Sequence, residues 1–118
     1  SLENPNEVKV VKASNNKALY FSRSPIPHVR GVKMEEWLNH QSFYSHIGVY
    51  GFRKEVLLEI VNIPQGKLEK AESLEQLRWL EAGYYISVNE TNFKSLGVDT
   101  AEDLIHVENF LKQNPEFI

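Results

Sequence analysis

Two β-prone runs, VKVVKA at 8–13 and ALYFS at 18–22, are separated only by SNNK. Asn15 and Asn16 tolerate the backbone angles of a tight turn, so the spacing predicts a β-hairpin. That hairpin constrains the fold more than any other feature, because it keeps the sheet from being all parallel. Helical and strand-like segments then alternate down the chain. The class expected is therefore α/β, with a mixed sheet, one antiparallel hairpin and flanking helices.

After the hairpin, residues 23–42 are broken by two prolines and a glycine. They read as a loop with a short helix around MEEWLN. YSHIGVYGF at 44–52 reads as a strand containing Gly48 and Gly51, and RKEVLLEIVNI at 53–63 as a short helix stopped by Pro64. Residues 67–83 form the strongest helical pattern. Leu68, Ala71, Leu74, Leu77 and Leu80 recur at helical spacing, and Gly83 stands where a C-terminal cap belongs. YYISVNE at 84–90 reads as a strand and 100–114 as a final helix striped by Leu104, Val107 and Leu111. Thr100 is its candidate N-cap, with Asp103 three residues on in a capping-box position.

The 118 residues suit one domain or part of a larger one, and a formal net charge of -3 with interspersed signs gives no reason to expect nucleic acid. There is no cysteine, which excludes disulfides, thiolate metal sites and a cysteine nucleophile and leaves a cytoplasmic address unopposed. No apolar run approaches the roughly 20 residues of a membrane span, and no signal peptide is visible. The opening SLENPNEVKV has no initiator methionine, and NPN leads straight into a strand-like run. The expectation is a piece cut from a longer protein. A Gly-rich phosphate loop, a Gly-x-Ser-x-Gly elbow and an HExxH motif are all absent from the sequence.

Several residues carry usable chemistry. Asp99 has two readings, as a turn residue that helps the chain enter a helix or as a hard-metal ligand. Mg²⁺ takes one or two carboxylates plus phosphates and water, and ligands gather at the C-terminal ends of strands in α/β sheets. Glu75 and Gln76 are adjacent within the 67–83 pattern, at the edge of its apolar face. They are either solvated, with Glu72, Arg78 and Glu81 as exchangeable charges, or a polar pair for sugar hydroxyls, since Gln donates and accepts while an ionised Glu accepts. His46 and Tyr50, four apart on the predicted strand, share a face as core or as pocket wall. No second histidine stands at metal-ligand spacing, which discounts zinc. Ser22 and Arg23 end the second strand, as a simple strand end or as an anion contact. His28 and Arg30 are loop groups that are either solvated or mobile anion contacts.

Taken in order, NPNEVKVV, ALYFSRSPIP, HIGVYGFR, ESLEQLRWLEAG and GVDTAEDL resemble the C-terminal half of the 3-deoxy-manno-octulosonate (KDO) cytidylyltransferases, also called CMP-KDO synthetases. The resemblance runs from about residue 3 to about residue 111. It implies the C-terminal half of a Rossmann-like, nucleotide-diphospho-sugar transferase-like fold. It also implies transfer of CMP from CTP to KDO, with Mg²⁺ as cofactor, CMP-KDO and pyrophosphate as products, and lipopolysaccharide biosynthesis as destination. By the same resemblance Asp99 is a catalytic magnesium ligand, and Ser22, Arg23, His46, Tyr50, Glu75 and Gln76 belong to the KDO pocket. A homodimer is implied too, with Trp37, Phe43, Tyr44 and Phe52 as aromatic anchors.

The family's N-terminal half is missing from this sequence, including its PAR-x-x-S-T-R phosphate loop and its GDEP aspartate. Residues 1–118 are therefore expected to be a sugar-binding and dimerising portion, without the CTP-binding portion and inactive alone. The alternatives are a sister nucleotidyltransferase acting on another acidic sugar, or a non-catalytic oligomerisation or sugar-binding module.

Overall fold

The computed structural model describes residues 1–92 and 100–114. The hairpin forms as expected, from β1 (Lys9–Lys12) and β2 (Ala18–Ser22). Asn16 takes a left-handed φ of 65° at the turn, and its amide donates to the Ala13 carbonyl. Val10 faces Phe21 across the ladder. The register slips between Val11 and Lys12, so Leu19 has no partner in β1 and points into solvent. A third strand, β3 (Tyr44–Ser45), pairs with the other edge of β1, giving the order β2-β1-β3. Every pairing among the described residues is antiparallel, where a mixed sheet was expected.

The 44–52 strand is shorter than its sequence suggests, for a reason that lies in its partner. His46 still donates to the Val8 carbonyl, but the next amide on that edge, that of Asn6, is already committed to the Asn4 side chain. With no ladder left to join, residues 46–53 leave the sheet. YYISVNE also forms only one bridge, Lys17 with Ser87, flanked by bonds between Ala18 and Ile86 and between Val88 and Asn16. Its strand-like alternation survives, with Ile86 and Val88 turned to the core and Tyr85 and Ser87 to solvent.

The helices follow. A 3₁₀ turn at Met34–Glu36 runs into α1 (Trp37–His40), and α2 spans Lys54–Ile60. The single helix expected at 67–83 is two helices, α3 (Lys67–Glu72) and α4 (Gln76–Glu81), hinged at Ser73 with φ 54° and ψ 47°. The C-terminal cap at Gly83 is present as a Schellman motif: with φ 94°, the Gly83 amide donates to Leu80 and the Tyr84 amide to Trp79. The last helix, α5 (Ala101–Gln113), starts with the expected capping box, in which the Thr100 hydroxyl accepts from the Asp103 amide and the Asp103 carboxylate from the Thr100 amide.

Val10, Ala18 and Phe21 of the hairpin pack against Leu74 and Leu77 of the hinge and α4. Leu77 is fully buried, and burying a leucine contributes about 1.5–3 kcal/mol. Trp37 is buried as well, its indole N–H on the Val32 carbonyl and its ring stacked on Phe43 at 6.1 Å. It is therefore an internal anchor and not the interface residue that was expected. No helix among the described residues is long and apolar enough to cross a membrane.

Candidate functional site

An open cleft of roughly 510 Å³ lies between α2, the 50–52 loop and the start of α4. Tyr50, Glu75 and Gln76, three of the sequence candidates, line it together. Phe52 and Trp79 form an aromatic wall, and Arg78 lies at its polar side. The hinge at Ser73 makes this possible. In a continuous helix Glu75 and Gln76 would lie mid-helix; here Glu75 is the N-cap of α4 and Gln76 its first residue.

Gln76 is only 5% exposed. Among the described residues no protein group hydrogen-bonds its amide, and no fully occluded side-chain N or O atom goes unpaired. Its polar end therefore opens onto the cleft. Burial, and then the nearby Glu75 charge, push the Tyr50 phenol up to about 12. At neutral pH it is a hydrogen-bond donor. His46 is absent from the cleft wall but packs against Tyr50 at 5.3 Å and edge-on to Phe21 at 4.9 Å. Its burial lowers the imidazole below its ordinary value, favouring the neutral ring. The predicted shared strand face does not exist, yet the two rings meet.

Ser22 and Arg23 do not line the cleft. The Ser22 hydroxyl and the Arg23 amide both donate to Glu72 Oε1 at 2.8 Å. The Arg23 guanidinium donates to the carbonyls of Glu72 at 2.6 Å, Pro5 at 2.9 Å and Ser73 at 3.1 Å. Among the described residues these bonds occupy three of its five N–H donors.

The charges read as exchangeable are mostly committed. Arg78 grips the buried Glu69 with two bonds, at 2.6 and 2.7 Å, which hold the Glu69 carboxyl below its ordinary value. Glu81 accepts from the Lys67 and Leu68 amides, capping α3 from another helix. Glu72 anchors the end of β2. Sequence reasoning thus missed the structural roles of Glu72 and Glu81, and the place of Arg78, Phe52 and Trp79 on the cleft. The paired runs of charge in 67–83 were the available signal, but they do not reveal which charges turn inward.

Asp99 lies outside the described residues. Among the described residues no three His, Asp or Glu groups come together as a metal site.

The cytidylyltransferase family model matches residues 1–95. Over 104 residues the chain is 58% identical to a 3-deoxy-manno-octulosonate cytidylyltransferase of Parabacteroides distasonis, covering 88% of this chain and 41% of that protein. Over 113 residues it is 54% identical to the one of Phocaeicola vulgatus, covering 96% and 45%. A solved structure of CMP:2-keto-3-deoxy-manno-octonic acid synthetase complexed with CTP superposes with a TM-score of 0.85 at 38% identity, over 95% of this chain and 44% of that one. The chain thus spans less than half the length of the relatives it matches. Hinge, cleft wall and hairpin are arranged in a chain that belongs to the cytidylyltransferase family.

Proposed function

We propose that the chain is the sugar-binding, C-terminal-side portion of a longer cytidylyltransferase that transfers CMP from CTP to KDO. The observation that carries this is the convergence on one cleft of Tyr50, Glu75 and the Gln76 amide, which has no hydrogen-bond partner among the described residues, in a chain 58% identical to a relative of that name. The sugar is a polyol with a carboxylate. Gln76 offers it both donors and an acceptor, Glu75 an acceptor and Tyr50 a donor. His46 keeps Tyr50 in place by ring packing.

In the reaction the sugar's anomeric oxygen forms a bond to the α-phosphorus of CTP. The bond from that phosphorus to the β-phosphate oxygen breaks, pyrophosphate leaves and the hydroxyl proton passes to solvent or a base. The residues of this chain bind and orient the sugar, and such positioning supplies a large part of the barrier lowering. Asp99, together with a carboxylate outside residues 1–118, would hold Mg²⁺, and the ion would supply neutralisation of phosphate charge. The full enzyme is cytoplasmic, forms a homodimer and supplies lipopolysaccharide synthesis.

The test is pyrophosphate release by the full-length enzyme with CTP, KDO and Mg²⁺. Gln76→Leu is expected to raise the KM for KDO by about tenfold or more, because it leaves a sugar hydroxyl unpaired. Asp99→Asn is expected to remove nearly all turnover while leaving the fold intact. Activity only with a different acidic sugar overturns the KDO assignment, and an Asp99→Asn enzyme close to wild type overturns the metal role.

A further inference from the structure

We infer that Glu72 is the positioning residue of the sugar site: its side chain locks the end of β2 to the α3–α4 hinge and so sets where Glu75 and Gln76 stand. This inference rests on the proposed sugar site, but it is carried by separate geometry.

Glu72 is the last residue of α3, directly before the left-handed Ser73. Its carboxylate accepts from the Ser22 hydroxyl and the Arg23 amide, both on Oε1 at 2.8 Å, and from the Tyr20 hydroxyl. The connection is reciprocal. The Arg23 guanidinium reaches back to the Glu72 carbonyl at 2.6 Å and the Ser73 carbonyl at 3.1 Å. A break in a helix frees carbonyls that need donors, and Arg23 provides them. Around one hinge residue, side chain and backbone are thus both tied to the same strand end.

The consequence reaches the cleft in three residues. Glu75 and Gln76 follow the hinge immediately and form the start of α4. A continuous helix through Ser73 would redirect α4 and carry both away from Tyr50. Glu72 touches no part of the cleft itself, so it acts through its neighbours.

The test uses the full-length enzyme, with separate KM values for sugar and CTP. Glu72→Leu keeps the bulk but removes the acceptor. It is expected to raise the sugar KM by about tenfold, with kcat within about threefold and the CTP KM unchanged. Glu72→Gln keeps Oε1 as an acceptor and is expected to restore the sugar KM to within about threefold of wild type. A Glu72→Leu enzyme with an unchanged sugar KM, or with both KM values raised alike, overturns the inference, because a purely structural role lowers active enzyme without selecting one substrate. If Glu72→Leu does not fold, Tyr20→Phe carries the test. It removes one hydroxyl, and a rise in sugar KM alone of about two- to fourfold supports the inference, while no rise overturns it. If the wild-type enzyme is inert with the sugar, the functional reading has failed, and the hinge is then read without substrate. The NMR resonances of the Gln76 side-chain amide shift in Glu72→Leu and stay near wild type in Glu72→Gln if Glu72 positions the hinge. Equal spectra in all three overturn it.

Discussion

Glu69 is a carboxylate buried between α3 and α4, and Arg78 takes both of its oxygens. Those bonds, despite the opposing effect of burial, lower its carboxyl. The stabilisation is present above the unfolded-state value, near 4.5, and is lost as pH falls through the lower folded-state value. Thermal melts of the wild type are therefore expected to drop as pH falls from about 4.5 to the lower folded-state value. Glu69→Gln should melt lower at pH 7 and show a shallower acid slope; identical slopes would show that other carboxylates carry the acid transition. Lys9 shows the same dependence on tertiary contacts. Only 3% exposed, it places its ammonium on the Asn4 carbonyl at 2.6 Å and the Arg23 carbonyl at 2.9 Å, and desolvation lowers its value against a partial opposing effect of Glu7. In the sequence it is one polar residue in a β-prone run, and nothing there marks it as buried.

At the scale of elements, the Ser73 hinge is the feature that converts a predicted helix into a wall. A non-glycine residue in the left-handed region carries a cost of about 1–2 kcal/mol. Ser73→Gly is expected to stabilise the chain slightly and Ser73→Val to destabilise it by about 1–3 kcal/mol, read from denaturant midpoints. Gly66 is bound to its position for a different reason. A Cβ there would collide with the Glu81 carboxylate that caps α3, so Gly66→Ala is expected to cost roughly a cap, about 0.5–2 kcal/mol, in the same measurement. The α5 capping box was fully legible, because Thr-x-x-Asp is a local device whose partners lie one turn apart. The Gly83 cap was legible for the same reason. The hinge was not, because Leu68, Ala71, Leu74 and Leu77 fit one helical stripe whether or not the helix bends between them.

The whole molecule exposes much apolar surface. Val49, Leu58 and Val61, and Leu104 and Ile105 of α5, stand in solvent, and α5 buries none of its residues. Exposed apolar surface on this scale favours association. Light scattering of the isolated chain is expected to give an average mass above that of one chain, and Leu58→Lys with Ile105→Lys is expected to reduce it; an unchanged mass would place the contact elsewhere. The isolated chain is also expected to release no pyrophosphate from CTP, because it spans under half of its relatives and contains no phosphate-gripping loop.

By itself the sequence determined the hairpin, the two helix caps, the α/β class and the family, because each rests on residues close in the chain or on ordered motifs. The grouping of Tyr50 with Glu75 and Gln76 on one cleft, the ring contact of His46 with Tyr50 and the diversion of Ser22 and Arg23 to Glu72 were decided only by the tertiary structure. Glu72 stands about 50 residues from Ser22, and no local pattern ranks one of several solvated-looking glutamates above another. A carboxylate turns inward where the folded chain brings several donors to one place, so its role is settled by long-range geometry that composition and periodicity do not contain.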